Sequence, residues 1–219
     1  MERKELDRII SELYKSLDGN SVECVLPDGT KEELLLWDEP IYGVASAGDP
    51  IFESFRSKDI IGEWYMTPDK WIDGAKSVIS VFFPASEKVR VTNRKQTDYS
   101  SVEWSYARVE GQAYIGQFMK ALSERLSGEG INTVIPSMDE RFFSIQAGKR
   151  SGSLPVGGSD IYPGADPDTF GSCWSERHAG FAAGLGTFGM SRGLITKKGM
   201  AGRMGSLITD ELVPADERP

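Results

Sequence analysis

Apolar positions in the first residues of the chain recur at helical spacing. Leu6, Ile9, Ile10, Leu13 and Leu17 fall on one face, which predicts an amphipathic helix over residues 2–17, stopped by Asp18 and Gly19. Short apolar runs at 22–26 and 33–36 flank Pro27-Asp28-Gly29-Thr30, the composition of a hairpin turn. A further strand is expected at 42–47. Asp49-Pro50 then offers an N-cap and a proline for a helix entering Ile51. Thr67-Pro68 starts a short helix containing Trp71. The run 75–84 is rich in Val, Ile and Phe without strict alternation, the signature of a strand covered on both faces. The longest helix is predicted over 101–127, where Tyr114, Phe118, Leu122 and Leu126 recur every fourth residue, ended by Gly128 and Gly130.

The second half is less regular. A strand is expected at 133–135, a long loop over 144–171, a helix over 173–183, and strands at 193–196 and 206–209. Strands and helices alternate loosely, without a regular βαβ beat. The expected fold class is therefore α/β (α+β), a mixed sheet flanked by helices.

Composition narrows the function. The chain has 219 residues, 39% hydrophobic and 26% charged, enough for one globular core. The net charge of -8 argues against a broad nucleic-acid surface. No apolar run reaches the ~20 residues of a membrane span, and the charged N-terminus lacks the apolar segment of a secretory signal. Two cysteines, Cys24 and Cys173, lie far apart; they fit the reduced thiols of a cytoplasmic protein and are too few for a four-cysteine cluster.

Residues 184–205 hold seven glycines. Such density reflects either tight turns or a ligand lying against the backbone, and ligand contact is the favoured reading. Gly184 to Gly189 spells G-x-G-x-x-G. It follows a predicted helix, whereas a dinucleotide fingerprint follows a strand, so that reading is rejected. Arg192, Lys197, Lys198 and Arg203 stand among these glycines and suit an anionic or amide-rich ligand.

The run Ser175-Glu176-Arg177-His178-Ala179-Gly180-Phe181-Ala182-Ala183-Gly184-Leu185-Gly186-Thr187-Phe188-Gly189 resembles the core motif of epoxyqueuosine reductases and corrinoid reductive dehalogenases. Gly193-Leu194-Ile195-Thr196 and Gly202-Arg203-Met204-Gly205-Ser206-Leu207-Ile208-Thr209-Asp210 continue the likeness. The resemblance implies a nitroreductase-like core that binds cobalamin, fed by two [4Fe–4S] clusters in a C-terminal module or by a ferredoxin. In that family the module begins soon after the last core strand; this chain stops at Pro219, so it looks like the core without the module. The expected division is an N-terminal extension over 1–40, a corrinoid-binding core over 41–211, and a tail over 212–219 leading toward the module.

Carried over residue by residue, Tyr106 resembles the dehalogenases' proton-donating tyrosine, with Tyr114 as its competitor on the same helix, and Arg203 the basic residue near it. Gly184, Leu185, Gly186, Gly189, Arg192, Gly193 and Gly202 are the candidate cofactor-binding residues. One departure touches the substrate. Epoxyqueuosine reductases carry a catalytic aspartate shortly before the motif glutamate; counting back from Glu176 finds Phe170, with Asp168 and Asp166 out of register. Two other readings stand beside the reductase core. One is an FMN oxidoreductase with a phosphate held by Arg192 and Lys197, and the other a non-catalytic corrinoid-binding protein. His178, the single histidine, is a weak candidate cobalt ligand. Cys173 lacks a paired base and reads as structural. Trp64, Tyr65, Trp71 and Trp104 either line a pocket or pack. A small-molecule substrate is implied, and related folds often pair as homodimers.

Overall fold

A computed structural model of the chain describes residues 1–146 and 168–219, together with the backbone of 149–152. In chain order the elements are α1 (Arg3–Ser16), β1 (Ser21–Val25), β2 (Lys31–Leu35), β3 (Ile41–Ser46), α2 (Ile51–Ser54), β4 (Ser77–Pro84), α3 (Glu87–Arg94) and α4 (Val102–Ser127). There follow β5 (Thr133–Val134), β6 (Phe143–Gln146), β7 (Lys149–Gly152), β8 (Gly171–Ser172), α5 (Glu176–Ala182), β9 (Gly186–Phe188), β10 (Leu194–Thr196) and β11 (Gly202–Thr209). Two 3-10 turns lie at Pro68–Lys70 and Pro136–Met138.

The central sheet has the order β3-β4-β11-β5. Its backbone is set by the long β4–β11 ladder, in which Gly202 faces Pro84 and Thr209 faces Ser77. Every strand pairing among the described residues is antiparallel. All eight residues of β4 are buried, and their alternation splits the core. Ile79, Val81 and Phe83 join Leu6, Ile9 and Ile10 of α1 and Phe118 and Leu122 of α4 on one face. Val78 packs with Ala179 and Ala182 of α5 and with Trp174 on the other. The expected α/β fold with helices on both faces of its sheet is present.

Local signals set the ends of α4. Ser101 Oγ accepts the Trp104 N–H at 3.1 Å, and Gly128 caps the far end. Asp49 accepts the Ile51 N–H at 2.9 Å, as the Asp-Pro pair predicts. The sequence reading missed α3. Ser86 caps it through the Val89 N–H, but Val89 is its single buried residue, so no apolar stripe announces it. The stretch expected as a loop over 144–171 carries the three-stranded sheet β7-β6-β8 at its two ends. The rest of that expectation, with Asp166, lies outside the described residues.

α1 and the β1–β2 hairpin, within the segment over 1–40, contribute Leu6, Cys24 and Leu34 to the same core as β4 and α4. The tail is docked as well. Asp216 accepts the Val44 N–H at 2.9 Å, and Arg218 pairs with Asp49 at 2.5 Å. Among the described residues no helix is long and apolar enough to cross a membrane.

Candidate functional site

The glycine-rich segment folds onto itself. A Cβ at Gly186 would sit 2.0 Å from the Ile195 carbonyl oxygen, because β9 and β10 pair face to face there. Gly184 takes φ +73° where α5 turns into β9, with the Glu217 carbonyl of the docked tail against it. Gly189 lies against the Ile195 side chain, and Leu185 is buried with Phe82 and Leu194. These four positions are spent on chain-to-chain packing. Close internal approach, the other reading of this glycine density, accounts for Gly184, Gly186 and Gly189.

The sequence-predicted residues that do meet at a cavity are Arg203, Gly193 and Gly202. The cavity measures about 500 Å³. One wall is a single face of α4, where Trp104, Ala107, Arg108 and Gln112 follow helical spacing. Gly202, Arg203 and Met204 of β11 form another, with Trp37, Phe82 and Leu194 completing the apolar lining. Glu176 and Arg177, at the start of α5, close it together with Ser137.

Three arginines, Arg108, Arg177 and Arg203, converge here, and none makes an ion pair with a described residue. Arg203 Nη1 donates to Gln112 Oε1 at 2.7 Å. Burial, and then the nearby Arg108 charge, hold the Arg203 guanidinium below its usual range. Arg177 Nη1 donates to the Arg192 carbonyl at 2.8 Å, tying α5 to the β9–β10 turn, where Arg192 sits at φ +58°.

Beneath the arginines lies a buried carboxyl. Glu176 Oε2 accepts the Ser206 hydroxyl at 2.5 Å, while Oε1 is buried and has no hydrogen-bond partner among the described residues. Burial pushes this carboxyl up to about 7, against the lowering effect of the hydrogen bond from Ser206 and of the nearby Ser137 and Trp174. Among the described residues no arginine pairs with it to restore the ionised form.

Other candidates lie elsewhere. Tyr106 sits two positions past Trp104, about 200° around the helix, and its hydroxyl accepts the Val25 N–H at 3.3 Å. It faces the β1 hairpin and does not line the cavity. Tyr114 is packed between Phe83 and Phe118, and burial pushes its phenol up to about 12. Arg192 lines a second, smaller hollow with His178 and Phe188, and Lys197 follows β10, so the pair expected to grip a flavin phosphate does not join Arg203. The His178 ring lies between Phe55 and Phe188 with Nδ1 2.8 Å from Ser175 Oγ. Burial, with the Arg177 charge, pushes it down to about 4. Cys173 precedes α5, which begins at Glu176 rather than at residue 173; its N–H donates to the Phe143 carbonyl at 3.0 Å. Tyr65 and Trp71 stack on or abut Trp174 in the core.

Sequence reasoning did not assign roles to Arg108, Arg177 or Glu176. Glu176 and Arg177 were visible in the motif, but Arg108 had no signal beyond its place on a long helix.

The fold and cavity define an α/β protein with a half-open, arginine-lined, aromatic-walled site over a buried carboxyl. No protein-family model matches the chain, and no curated protein does. Among solved structures it is similar to epoxyqueuosine reductase from Bacillus subtilis, at 15% identity and TM-score 0.48, covering 99% of this chain and 48% of that one. It is also similar to an epoxyqueuosine reductase solved with a tRNA-Tyr epoxyqueuosine-modified stem loop, at 15% identity and TM-score 0.49, with 99% and 48% covered. For the Streptococcus thermophilus enzyme the values are 16% and 0.41, with 82% and 44% covered. The chain spans about half the length of the first two structures.

Proposed function

We propose that this chain is the cofactor-binding core of a reductase of the epoxyqueuosine reductase and reductive dehalogenase type, with cobalamin as cofactor and FMN as the alternative. The observation that carries the reading is the convergence of Arg108, Arg177 and Arg203, without ion pairs to any described residue, on one aromatic-walled cavity. In a chain of net charge -8, cations left without counter-ions at one cavity suit an anionic ligand.

The donor set fits such a cofactor. Guanidinium forks suit a phosphate, and the Glu176 carboxyl, with Oε1 unpartnered among the described residues, suits the polar amide and carbonyl groups that both a corrinoid periphery and a flavin ring provide. A volume of about 500 Å³ is that of a drug-sized ligand site. It would take FMN whole, but only one edge of a corrinoid, with the remainder outside this chain's cavity. Arg108, Arg177 and Arg203 would hold the anionic group, and Trp37, Phe82 and Trp104 would cover the apolar part. When bound, the cofactor supplies the electron-transfer chemistry; this chain positions it and holds a proton nearby. Electrons would come from an iron–sulfur module or a ferredoxin.

The substrate is a small molecule or a nucleoside. Net charge argued against nucleic acid, but that argument covers the whole surface. Residues 177–209 carry Arg177, Arg192, Lys197, Lys198 and Arg203 and no acidic residue, so it does not extend to this face.

The test is titration of the purified protein with cob(II)alamin and, separately, with FMN, followed by visible absorbance and thermal shift. A ligand at ~100 times its dissociation constant adds about 2.7 kcal/mol to stability. Stabilisation by cobalamin with a spectral change, lost in Arg203→Gln, is expected. Stabilisation by FMN alone moves the protein to the flavin class. Response to neither sinks the reading.

A further inference from the structure

We propose that Glu176 is the proton donor of this cavity, with its transferable proton held on Oε1. The inference rests on the reading of the cavity as a ligand site and adds a role for a side chain that the resemblance left without one.

Hydrogen-bond direction fixes the proton. The Trp174 indole Nε1 can only donate, and it lies 2.9 Å from Ser206 Oγ. Ser206 therefore accepts there, and its own hydrogen is free to go to Glu176 Oε2, 2.5 Å away. Oε2 is thereby committed as an acceptor. When the carboxyl is protonated, the hydrogen sits on Oε1, which has no hydrogen-bond partner within 3.5 Å among the described residues, with Ser137 nearby in the same cavity. The Trp174 and Ser206 anchors are themselves buried, so the carboxyl is held in one orientation.

The charged and titratable groups around the carboxyl are Arg108 on α4, Arg177 on α5, Arg203 on β11 and Tyr65 behind Trp174. The arginines share its cavity without pairing with it. Tyr65 stays a neutral phenol, since burial and Glu176 both push it upward. Burial raises the carboxyl to about 7, so a share of it carries its proton at neutral pH beside the three cations.

In the transfer, the O–H bond at Oε1 breaks and a new bond to that hydrogen forms at a basic atom of the bound ligand. The electron pair of the broken bond stays on the carboxylate, which the Ser206 hydroxyl continues to hold at Oε2. Once the ligand has left, water entering the cavity that Glu176 lines returns the proton.

The test reads the carboxylic C=O stretch by infrared difference spectroscopy, from mildly acidic to mildly alkaline pH, on the ligand-free protein and again with FMN or cob(II)alamin added. A band lost with a midpoint near 7 is expected in the wild type, absent in Glu176→Gln. In Ser206→Ala the midpoint should move up, because the carboxylate loses a donor. A bound anion should also move it up. A flat carboxyl signal, or a downward shift in Ser206→Ala, overturns the assignment. So does a midpoint that stays put when thermal shift shows the cofactor bound. If thermal shift shows that no cofactor binds, the reading of the cavity fails, and the donor role fails with it.

Discussion

The Trp37 indole turns its N–H edge to the backbone of Gly111, donating from Nε1 to the Gly111 carbonyl at 3.0 Å. This contact joins the segment after the N-terminal hairpin to the middle of α4, across 74 positions of sequence. It also fixes one wall of the cavity, since Trp37 lines it.

A Cβ at Gly111 would fall 2.7 Å from Trp37 Cζ2 and within 2.9 Å of two more ring atoms. Trp37 is 2% exposed and cannot yield. Gly111→Ala is therefore expected to cost about 1–3 kcal/mol, overriding the ~1 kcal/mol that alanine gains in a helix. Gly116→Ala, on the same helix, should have the opposite sign. Its new methyl meets only the tip of Met138 at 3.0 Å, so about 0.5–1 kcal/mol of stabilisation is expected. Urea denaturation of the two variants measures both, and equal effects would refute the packing argument.

Replacing Arg203 or Arg108 by glutamine should separate binding from folding. Each loses a charge-assisted hydrogen bond to an anionic ligand, about 1.5–3 kcal/mol, or roughly ten- to a hundredfold in affinity. The two guanidinium groups repel one another, so neither loss should lower the thermal midpoint of the ligand-free protein. Calorimetric titration beside a thermal melt reads the two quantities; a variant that melts early and binds normally would contradict the assignment.

Glu176 and His178 oppose one another in acid. The folded His178 titrates near 4, below its ordinary 6.5, so between those values the unfolded chain holds the extra proton and stability falls as pH drops. The folded Glu176 titrates near 7, above its ordinary 4.5, so across that range the folded chain holds the extra proton and stability falls as pH rises. The two slopes largely cancel in the wild type. Glu176→Gln should leave the His178 slope exposed, giving stability that declines from about pH 6.5 toward 4. His178→Gln should show the reverse slope. Denaturation midpoints across this range test the pair, and parallel curves for all three proteins would be inconsistent with either titration.

Gly186→Ala should break the β9–β10 hairpin. Its Cβ would meet the Ile195 carbonyl oxygen at 2.0 Å, and that oxygen belongs to the paired strand backbone, which has nowhere to go. A loss of about 3 kcal/mol is expected, the upper end for overpacking. Hydrogen exchange should show the Leu194–Thr196 amides losing protection before those of β4; uniform exchange would mean the hairpin is not the weak point.

Much of this architecture is written locally. The helical stripe of α1, the Asp-Gly turn of the first hairpin, the apolar run of β4 and the capped length of α4 each appear where expected, because capping, periodicity and turn chemistry act over a few residues. What failed to show is short or polar. α3 buries one side chain, and β9 has three residues, too few for a period to register.

The candidate site divides in the same way. Sequence alone determined that Arg203 stands in a glycine-rich stretch between two expected strands, that Glu176 and Arg177 share a motif, and that the chain has one histidine. Only the tertiary structure decided which of these meet. β11 pairs with β4 and lies between α4 and α5, and that arrangement brings Arg108, Arg177, Arg203 and Glu176 to one cavity while turning Tyr106 toward the hairpin. It also decided that the glycines at 184, 186 and 189 admit neighbouring parts of the same chain. The physical reason is range. Turn and helix preferences are properties of adjacent residues, whereas the meeting of charges from positions 108, 176 and 203 is set by strand pairing and by burial of the two cores on either side of one sheet.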